Sequence, residues 1–323
     1  MVGLPKYTMK ESNMKDRGMV QYLGMDVHKE WIIIATIRGE EQEPRSIVKK
    51  KNDWVIIRKY LTKVLEKGPI LCCYEAGPCG YTLARNIEEM GITCIIAAPG
   101  LIPRKAGSHI KTDQRDAINL ARNLRNGELV SVKVPDCKDE MVRDYIRMRD
   151  DMKGAEKKIK QQILGFVVRH GYRYDGTYWT EKHRKWLLSL FEEKDLRKET
   201  LDHYYCSLLE KEERLERISE KIEEIAKWKR YERLVGRFGC LKGVSTYTAL
   251  SLCVEIGDFK RFPTAPQFMA YLGVIPSEHT SGGKRRLGGI TKSGNKHIRQ
   301  LLIESSWHYC LSYIPSKIGR AHV

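Results

Sequence analysis

Leu23-Gly-Met-Asp-Val-His-Lys-Glu-Trp-Ile-Ile-Ile-Ala35 is mostly apolar, yet it carries a carboxylate, Asp26, near its start. Val, Trp and Ile suit a pleated, half-buried segment, so the stretch reads as a β-strand. An unpaired charge in such a strand is costly, which marks Asp26 as a candidate site residue. A second acid, Glu75, closes the apolar run Pro69-Ile-Leu-Cys-Cys-Tyr-Glu75, and Gly77, Pro78 and Gly80 follow it. Two more, Asp113 and Asp116, lie in Lys111-Thr-Asp-Gln-Arg-Asp-Ala117, the opening of a helix expected to reach Leu124. Acids three apart project from one helix face. Two strand-borne acids and a helix-borne pair are a donor set for divalent-metal phosphodiester chemistry. Mg²⁺, or Mn²⁺ in its place, takes hard oxygen ligands, and two ions about 3.5–4 Å apart need carboxylates converging from several elements. Any one acid alone also fits a solvated residue at the end of an element. Asp26 and Glu75 resist that reading, because their neighbours are apolar.

Around these acids, residues 21–135 read as one α/β domain, with 1–20 as an N-terminal extension. Strands are expected from Tyr22–Met25 on through Trp31–Ile37, then at Arg45–Lys49, Ile70–Tyr74 and Thr93–Ala97. Val55, Ile56, Tyr60, Leu61, Val64 and Leu65 recur at helical spacing within Trp54–Leu65. Gly80–Met90 reads as a second helix, stopped by Gly91. Early strands in hairpin order, then alternating helix and strand, predict a mixed sheet of the ribonuclease H type. No Gly-x-Gly-x-x-Gly or phosphate-loop sequence supports a dinucleotide or nucleotide fold.

Pro135 marks a boundary, and 136–235 read as a helical linker. Met141, Val142, Tyr145, Met148 and Met152 are helically spaced within a helix expected over Lys138–Val168. A break rich in Gly and Tyr follows at Gly171–Tyr178. From Leu196 to Trp228, residues Leu201, Tyr204, Leu208, Leu215, Ile218, Ile222 and Ile225 fit heptad positions a and d. This resembles a coiled-coil arm, and an amphipathic helix packed on its own domain fits the same pattern. Residues 236–323 read as a mostly helical C-terminal domain. In it, Leu241-Lys-Gly-Val-Ser-Thr-Tyr-Thr-Ala-Leu250 resembles a helix-hairpin-helix turn that offers backbone N–H groups to phosphate.

A Gly-rich loop, Pro276-Ser-Glu-His-Thr-Ser-Gly-Gly283, precedes a basic run containing Lys284, Arg285, Arg286, Lys292, Lys296 and Arg299. The cations would draw phosphates, and the glycines would let the backbone approach them. A serine in that field, Ser277 or Ser281, suits a nucleophile attacking phosphorus; a flexible solvated loop also accounts for the pattern. No Ser-His-Asp arrangement surrounds either serine.

The chain carries 58 Lys plus Arg against 41 Asp plus Glu, a formal net charge of +17, which makes a polyanion the expected partner. Apolar runs such as Trp31–Ile37 are far too short to span a bilayer, and the first residues lack a signal-peptide pattern. Nine scattered cysteines, odd in number and without zinc-ligand spacing, suit free thiols in a reducing cytosol.

Several motifs together resemble the DEDD transposases of bacterial insertion sequences, the insertion sequence 110 family, also called bridge-RNA-guided recombinases. They are Gly24-Met-Asp-Val-His-Lys29, Tyr74-Glu-Ala-Gly-Pro78, Lys111-Thr-Asp-Gln-Arg-Asp-Ala117, Glu255-Ile-Gly-Asp258, Tyr271-Leu-Gly273, Pro276-Ser-Glu278, Ser281-Gly282 and Ile290-Thr-Lys-Ser-Gly-Asn295. The resemblance covers Tyr22 to about Tyr309. It implies a RuvC-like N-terminal domain in which Asp26, Glu75, Asp113 and Asp116 bind metal. It implies that Ser281 attacks DNA, forming a covalent serine–DNA intermediate before strands rejoin. Lys111 and Arg115, with the six downstream cations, are the expected nucleic-acid contacts. The implied partners are donor and target DNA, a structured guide RNA and further copies of the chain in a dimer or tetramer, in a bacterial or archaeal cytoplasm. Two departures stand out. Thr280 occupies a position where the family commonly has a second serine, and the chain stops soon after Trp307, with a terminal Ile318-Gly-Arg-Ala-His-Val323 expected to be a truncation artefact. A RuvC-like junction nuclease using water, and a non-catalytic nucleic-acid-binding protein, are the competing readings.

Overall fold

The computed structural model describes residues 20–103, 112–281 and 284–310. Strands β1 (Gln21–Val27), β2 (Trp31–Arg38) and β3 (Ser46–Lys51) form an antiparallel meander. The strand expected to run on from residue 22 through 37 is therefore a hairpin. His28, Lys29 and Glu30 turn the chain, and the His28 N–H donates to the Trp31 carbonyl at 2.9 Å. Three polar residues interrupt the apolar run at that point, and the Asn52 N–H donates to the Glu30 carbonyl at 2.8 Å. Helix α1 (Trp54–Leu65) starts at Asp53, whose carboxylate accepts from the Val55 and Ile56 N–H groups. Then come β4 (Ile70–Glu75), α2 (Thr82–Glu89), β5 (Thr93–Ala97) and α3 (Asp113–Arg125).

The sheet order is β3-β2-β1-β4-β5, with β4 parallel to β1 and β5 parallel to β4. This is the mixed sheet expected of a RuvC-like domain. Strand alternation sorts its side chains into two layers. Leu23, Met25, Ile32, Ile34, Cys72 and Tyr74 pack with Ile57, Leu61 and Ile87 of α1 and α2. On the other face, Tyr22, Leu71 and Cys73 pack with Leu120 and Leu124, while Ile33, Ala35 and Ile37 pack with Ala117 and Ala121. Helix α3 thus covers the face to which the same alternation assigns Asp26 and Glu75.

Helices α4 (Cys137–Arg169), α5 (Glu181–Leu188), α6 (Leu196–Ala226), α7 (Glu232–Gly239) and α8 (Thr246–Ile256) follow. Val142 and Ile146, near the start of α4, pack with Ile218, Ile222 and Ile225 near the end of α6. Ile163, Phe166 and Val167 pack with Leu201 and Leu208. The two long helices are therefore antiparallel, and the heptad face of α6 is buried within its own chain. Gly243, in the turn before α8, has φ +79, and a Cβ there would stand 2.6 Å from the Ser305 carbonyl oxygen. The chain continues through α9 (Ala265–Leu272), the hairpin of β6 (Pro276–Ser281) and β7 (Lys284–Ile290), and α10 (Lys296–Trp307).

Two compact units result: residues up to Val134 group with Phe262–Asn295, and Pro135–Arg261 group with the residues from Lys296 on. The span 236–323, read as one C-terminal domain, is divided between them. Within the second unit, Glu255 is 5% exposed and accepts from Arg147 Nε and Nη2 at 2.9 and 3.1 Å. Arg143 Nε is 3.5 Å from Glu255 Oε2. Burial pushes the Glu255 carboxyl up, but His297, Arg147 and Arg143 outweigh it and hold it down to about 2. His297 Nε2 lies 2.9 Å from Asp150 Oδ2. Burial pulls the His297 ring down, while Asp150 and Glu255 raise it to about 9. No disulfide links the nine cysteines, and no helix among the described residues is long and apolar enough to cross a membrane.

Candidate functional site

Asp26 is the sixth residue of β1, at the end where the parallel strands β1 and β4 point together. Met25 pairs with Tyr74, so the next position along, Glu75, is level with Asp26 on the adjacent strand. Helix α3 brings the other two acids. Thr112 caps it by accepting from the Arg115 N–H, and Asp113 and Asp116 occupy its first turn, where the helix dipole favours carboxylates. Gly24 lets α3 settle onto the sheet: a Cβ at position 24 would stand 2.2 Å from the Ala117 carbonyl oxygen. That close approach carries the first turn of α3 over the end of β1.

Asp26, His28 and Asp113 each offer a ligand atom, and these atoms lie within 4.8 Å of one another. His28 Nε2 is 3.1 Å from Asp26 Oδ2 and 3.5 Å from Asp113 Oδ2. Burial raises the Asp26 carboxyl above its ordinary range; His28 pulls it back, and the charges of Asp113 and Asp116 push it up again. Like charges are thus held together in partial burial with one imidazole between them, an arrangement a divalent cation relieves. The oxygen donors suit a hard ion, so the residues present fit the expected metal. Glu75 is exposed at the end of β4 and is outside the His28-centred group. His28 itself was not read as a site residue from the sequence. Its spacing of two from Asp26, which keeps both on one face of an extended chain, was the available signal.

The second set of expected residues is less concentrated. Ser281 is the last residue of β6 and pairs in register with Lys284, across Gly282 and Gly283. The side chains of Ser281 and Lys284 lie outside the described residues, as do Lys111 and residues 311–323. Thr280 pairs with Arg285, and its hydroxyl donates to Glu278 Oε1 at 2.7 Å. Alternation places positions 280 and 281 on opposite faces of the hairpin. Arg285 is not a free cation, since its Nε lies 3.1 Å from Glu278 Oε1. Arg286, Lys292 and Lys296 are exposed, as is Arg115 on α3. Arg299 is 9% exposed on α10, which buries Ile298 and Leu301 beside it. Of the six cations, Lys284, Arg285 and Arg286 lie on β7, whereas Lys296 and Arg299 lie on α10.

Two family models match the chain. One, described as a transposase of the DEDD type of IS110 elements, covers residues 23–170. The other, described as the transposase IS116/IS110/IS902 family, covers residues 237–317. The transposase for insertion sequence element IS1533 of Leptospira borgpetersenii is 40% identical over 243 residues, 74% of this chain and 70% of that protein. The putative transposase y4qE of Sinorhizobium fredii is 35% identical over 304 residues, 93% of this chain and 73% of that protein. A probable family 20 transposase of Pseudomonas aeruginosa is 23% identical over 88% of this chain and 82% of its own length.

Proposed function

This chain belongs to the IS116/IS110/IS902 family of insertion-sequence transposases, and from that premise we propose that it exchanges DNA strands through a covalent intermediate on Ser281. The observation that carries the reading is the grouping of Asp26, His28 and Asp113 within 4.8 Å, close enough to Asp116 for its charge to act on Asp26. With Glu75 level on the neighbouring strand, these acids would hold Mg²⁺ or Mn²⁺. Bound there, such an ion supplies Lewis-acid stabilisation of charge on phosphoryl oxygens. His28 orients the Asp26 carboxylate through its hydrogen bond.

The Ser281 hydroxyl oxygen forms a bond to phosphorus while a bond from phosphorus to a deoxyribose oxygen breaks. The serine proton ends on that leaving oxygen, giving a free strand end. Attack by the hydroxyl of another strand returns the serine and joins the new pair. Arg286 and Lys292, both exposed, would neutralise phosphate as this proceeds. The net charge of +17 supports binding of donor and target DNA and of a structured guide RNA. Exchange needs two duplexes held at once, so the working form is an oligomer, a dimer or tetramer. Because the apolar face of α6 is covered within the chain, the contact between copies would use a different surface.

Denaturing electrophoresis of labelled DNA after incubation with protein, RNA and Mg²⁺ tests the reading. A protein–DNA band that depends on Ser281 supports it. Cleavage with no such band would instead favour hydrolysis by a junction nuclease.

A further inference from the structure

The face of the sheet that carries Asp26 continues outward to the edge strand β3. Asp26 pairs with Ile33, and Ile33 pairs with Lys49, so the three share one row across the sheet. Two strand spacings separate the backbones of Asp26 and Lys49 by about 10 Å. Two pairs further along, Trp31 is opposite Lys51. Trp31, Lys49 and Lys51 therefore stand on the face covered by α3, whereas Lys50 turns to the other side, 5.7 Å over the Tyr60 ring.

The end of this edge lines an open cleft of about 510 Å³, bounded by Lys29, Glu30, Trp31, Lys49, Lys51 and Asn52, with Lys50 also contributing to its rim. One acid faces several lysines. The Lys49 ammonium lies 4.0 Å from the centre of the half-buried Trp31 ring, and the His28 ring is 5.9 Å away. The Trp31 indole N–H has no acceptor among the described residues. Asn52 fixes the turn that presents this surface, donating from its side chain to the His28 carbonyl at 2.7 Å. The cleft is thus tied through His28 to the carboxylates.

We propose that Trp31, Lys49 and Lys51 form a platform that holds unpaired DNA beside the acidic site. A cluster of carboxylates repels a polyanion, so phosphates must be drawn in by cations on its flank. An indole ring among lysines matches a surface on which an unpaired base stacks while its phosphates are neutralised; a duplex keeps its bases stacked on each other. The choice of DNA over RNA rests on the transposase reading above.

The test is fluorescence anisotropy in EDTA with single-stranded DNA, duplex DNA and single-stranded RNA of equal length. Trp31→Leu should weaken single-stranded DNA binding by about tenfold and duplex binding little, with Trp31→Phe close to wild type. Lys49→Ala and Lys51→Ala should each flatten the salt dependence for single-stranded DNA by about 0.7 in logarithmic slope. In the wild-type protein, photocross-linking from iodouracil-bearing DNA should map to Trp31, a result independent of how any variant folds. Wild-type affinity in Trp31→Leu, or cross-links only elsewhere, overturns the platform. Tighter binding of RNA, lost in the same variants, overturns the assignment to DNA. Metal-free binding reads the platform and strand exchange reads the transposase chemistry, so either can fail alone.

Discussion

Gly24 lies so close to Ala117 that a Cβ on the glycine would stand 2.2 Å from the alanine's carbonyl oxygen, and 2.3 Å from the Ala121 nitrogen. Both neighbours are helix backbone, which cannot rotate away as a side chain would. Gly24→Ala should therefore lift α3 from the sheet, costing about 1–3 kcal/mol by overpacking. Asp113 and Asp116 would move with it. Thermal unfolding should show the lower stability, and titration with Mg²⁺ should show weaker binding; a variant matching wild type in both would mean the helix does not depend on this approach.

Much of this arrangement is legible in the residues alone. The β4 run ending at Glu75, the α1 helix behind Asp53, and the acidic first turn of α3 all carry local signals strong enough to place them. The turn at His28-Lys29-Glu30 was hidden because it contains neither Gly nor Pro, and with it the role of His28. The burial of Arg299 is not legible locally, because a run of cations does not show which of them a helix turns inward. The grouping of 262–295 with the N-terminal unit breaks the chain order, which no local pattern reports.

Metal binding should be visible as stabilisation. If the carboxylates hold Mg²⁺, a concentration one hundred times the dissociation constant should stabilise the wild type by about 2.7 kcal/mol. Asp26→Asn should lose that increment. It should also unfold no earlier than wild type without metal, because burial and two neighbouring charges already disfavour the ionised carboxyl. DNA binding should survive, since it depends on cations elsewhere. An equal Mg²⁺-dependent rise in melting temperature for both proteins would remove Asp26 from the ligand set.

The ion cluster around Glu255 predicts how stability follows pH. His297 is raised to about 9, so its contribution is complete below its ordinary value near 6.5 and disappears as pH climbs through 9. Glu255 is lowered to about 2, so its contribution is complete above about 4.5 and disappears on acidification toward 2. Between those limits the helical unit should be at its most stable. His297→Gln should abolish the alkaline loss between pH 7 and 9, read by denaturant unfolding at each pH. A wild-type curve that stays flat over that interval would argue against the pairing with Asp150.

Leu208 is fully buried on the α6 face that fits a heptad pattern, packed in the cluster of Ile163, Phe166 and Leu201. Leu208→Ala should cost about 2–5 kcal/mol through lost burial and the cavity left behind. Because the contact is within one chain, the loss should not depend on protein concentration. Light scattering should report the same assembly state as wild type wherever the variant is folded. Dissociation into smaller species with unchanged monomer stability would return this face to an interface between copies.

Ser281 and Thr280 offer the last discrimination, since they are adjacent positions of β6, and successive positions of a strand alternate between its faces. Thr280 already donates to Glu278, which also pairs with Arg285, so its oxygen is held within a surface network. A hydroxyl is a weak nucleophile at neutral pH and needs an activated target or a neighbouring base, and Thr280 has a carboxylate that accepts its proton without presenting a phosphate. Ser281→Ala should therefore abolish the covalent protein–DNA band while RNA and DNA binding persist. Thr280→Val should keep the band, at a rate reduced several-fold at most by disturbance of the Glu278–Arg285 pair, and Ser277→Ala should keep it too. Persistence of the band in Ser281→Ala together with its disappearance in Thr280→Val would move the chemistry to the opposite face of the hairpin.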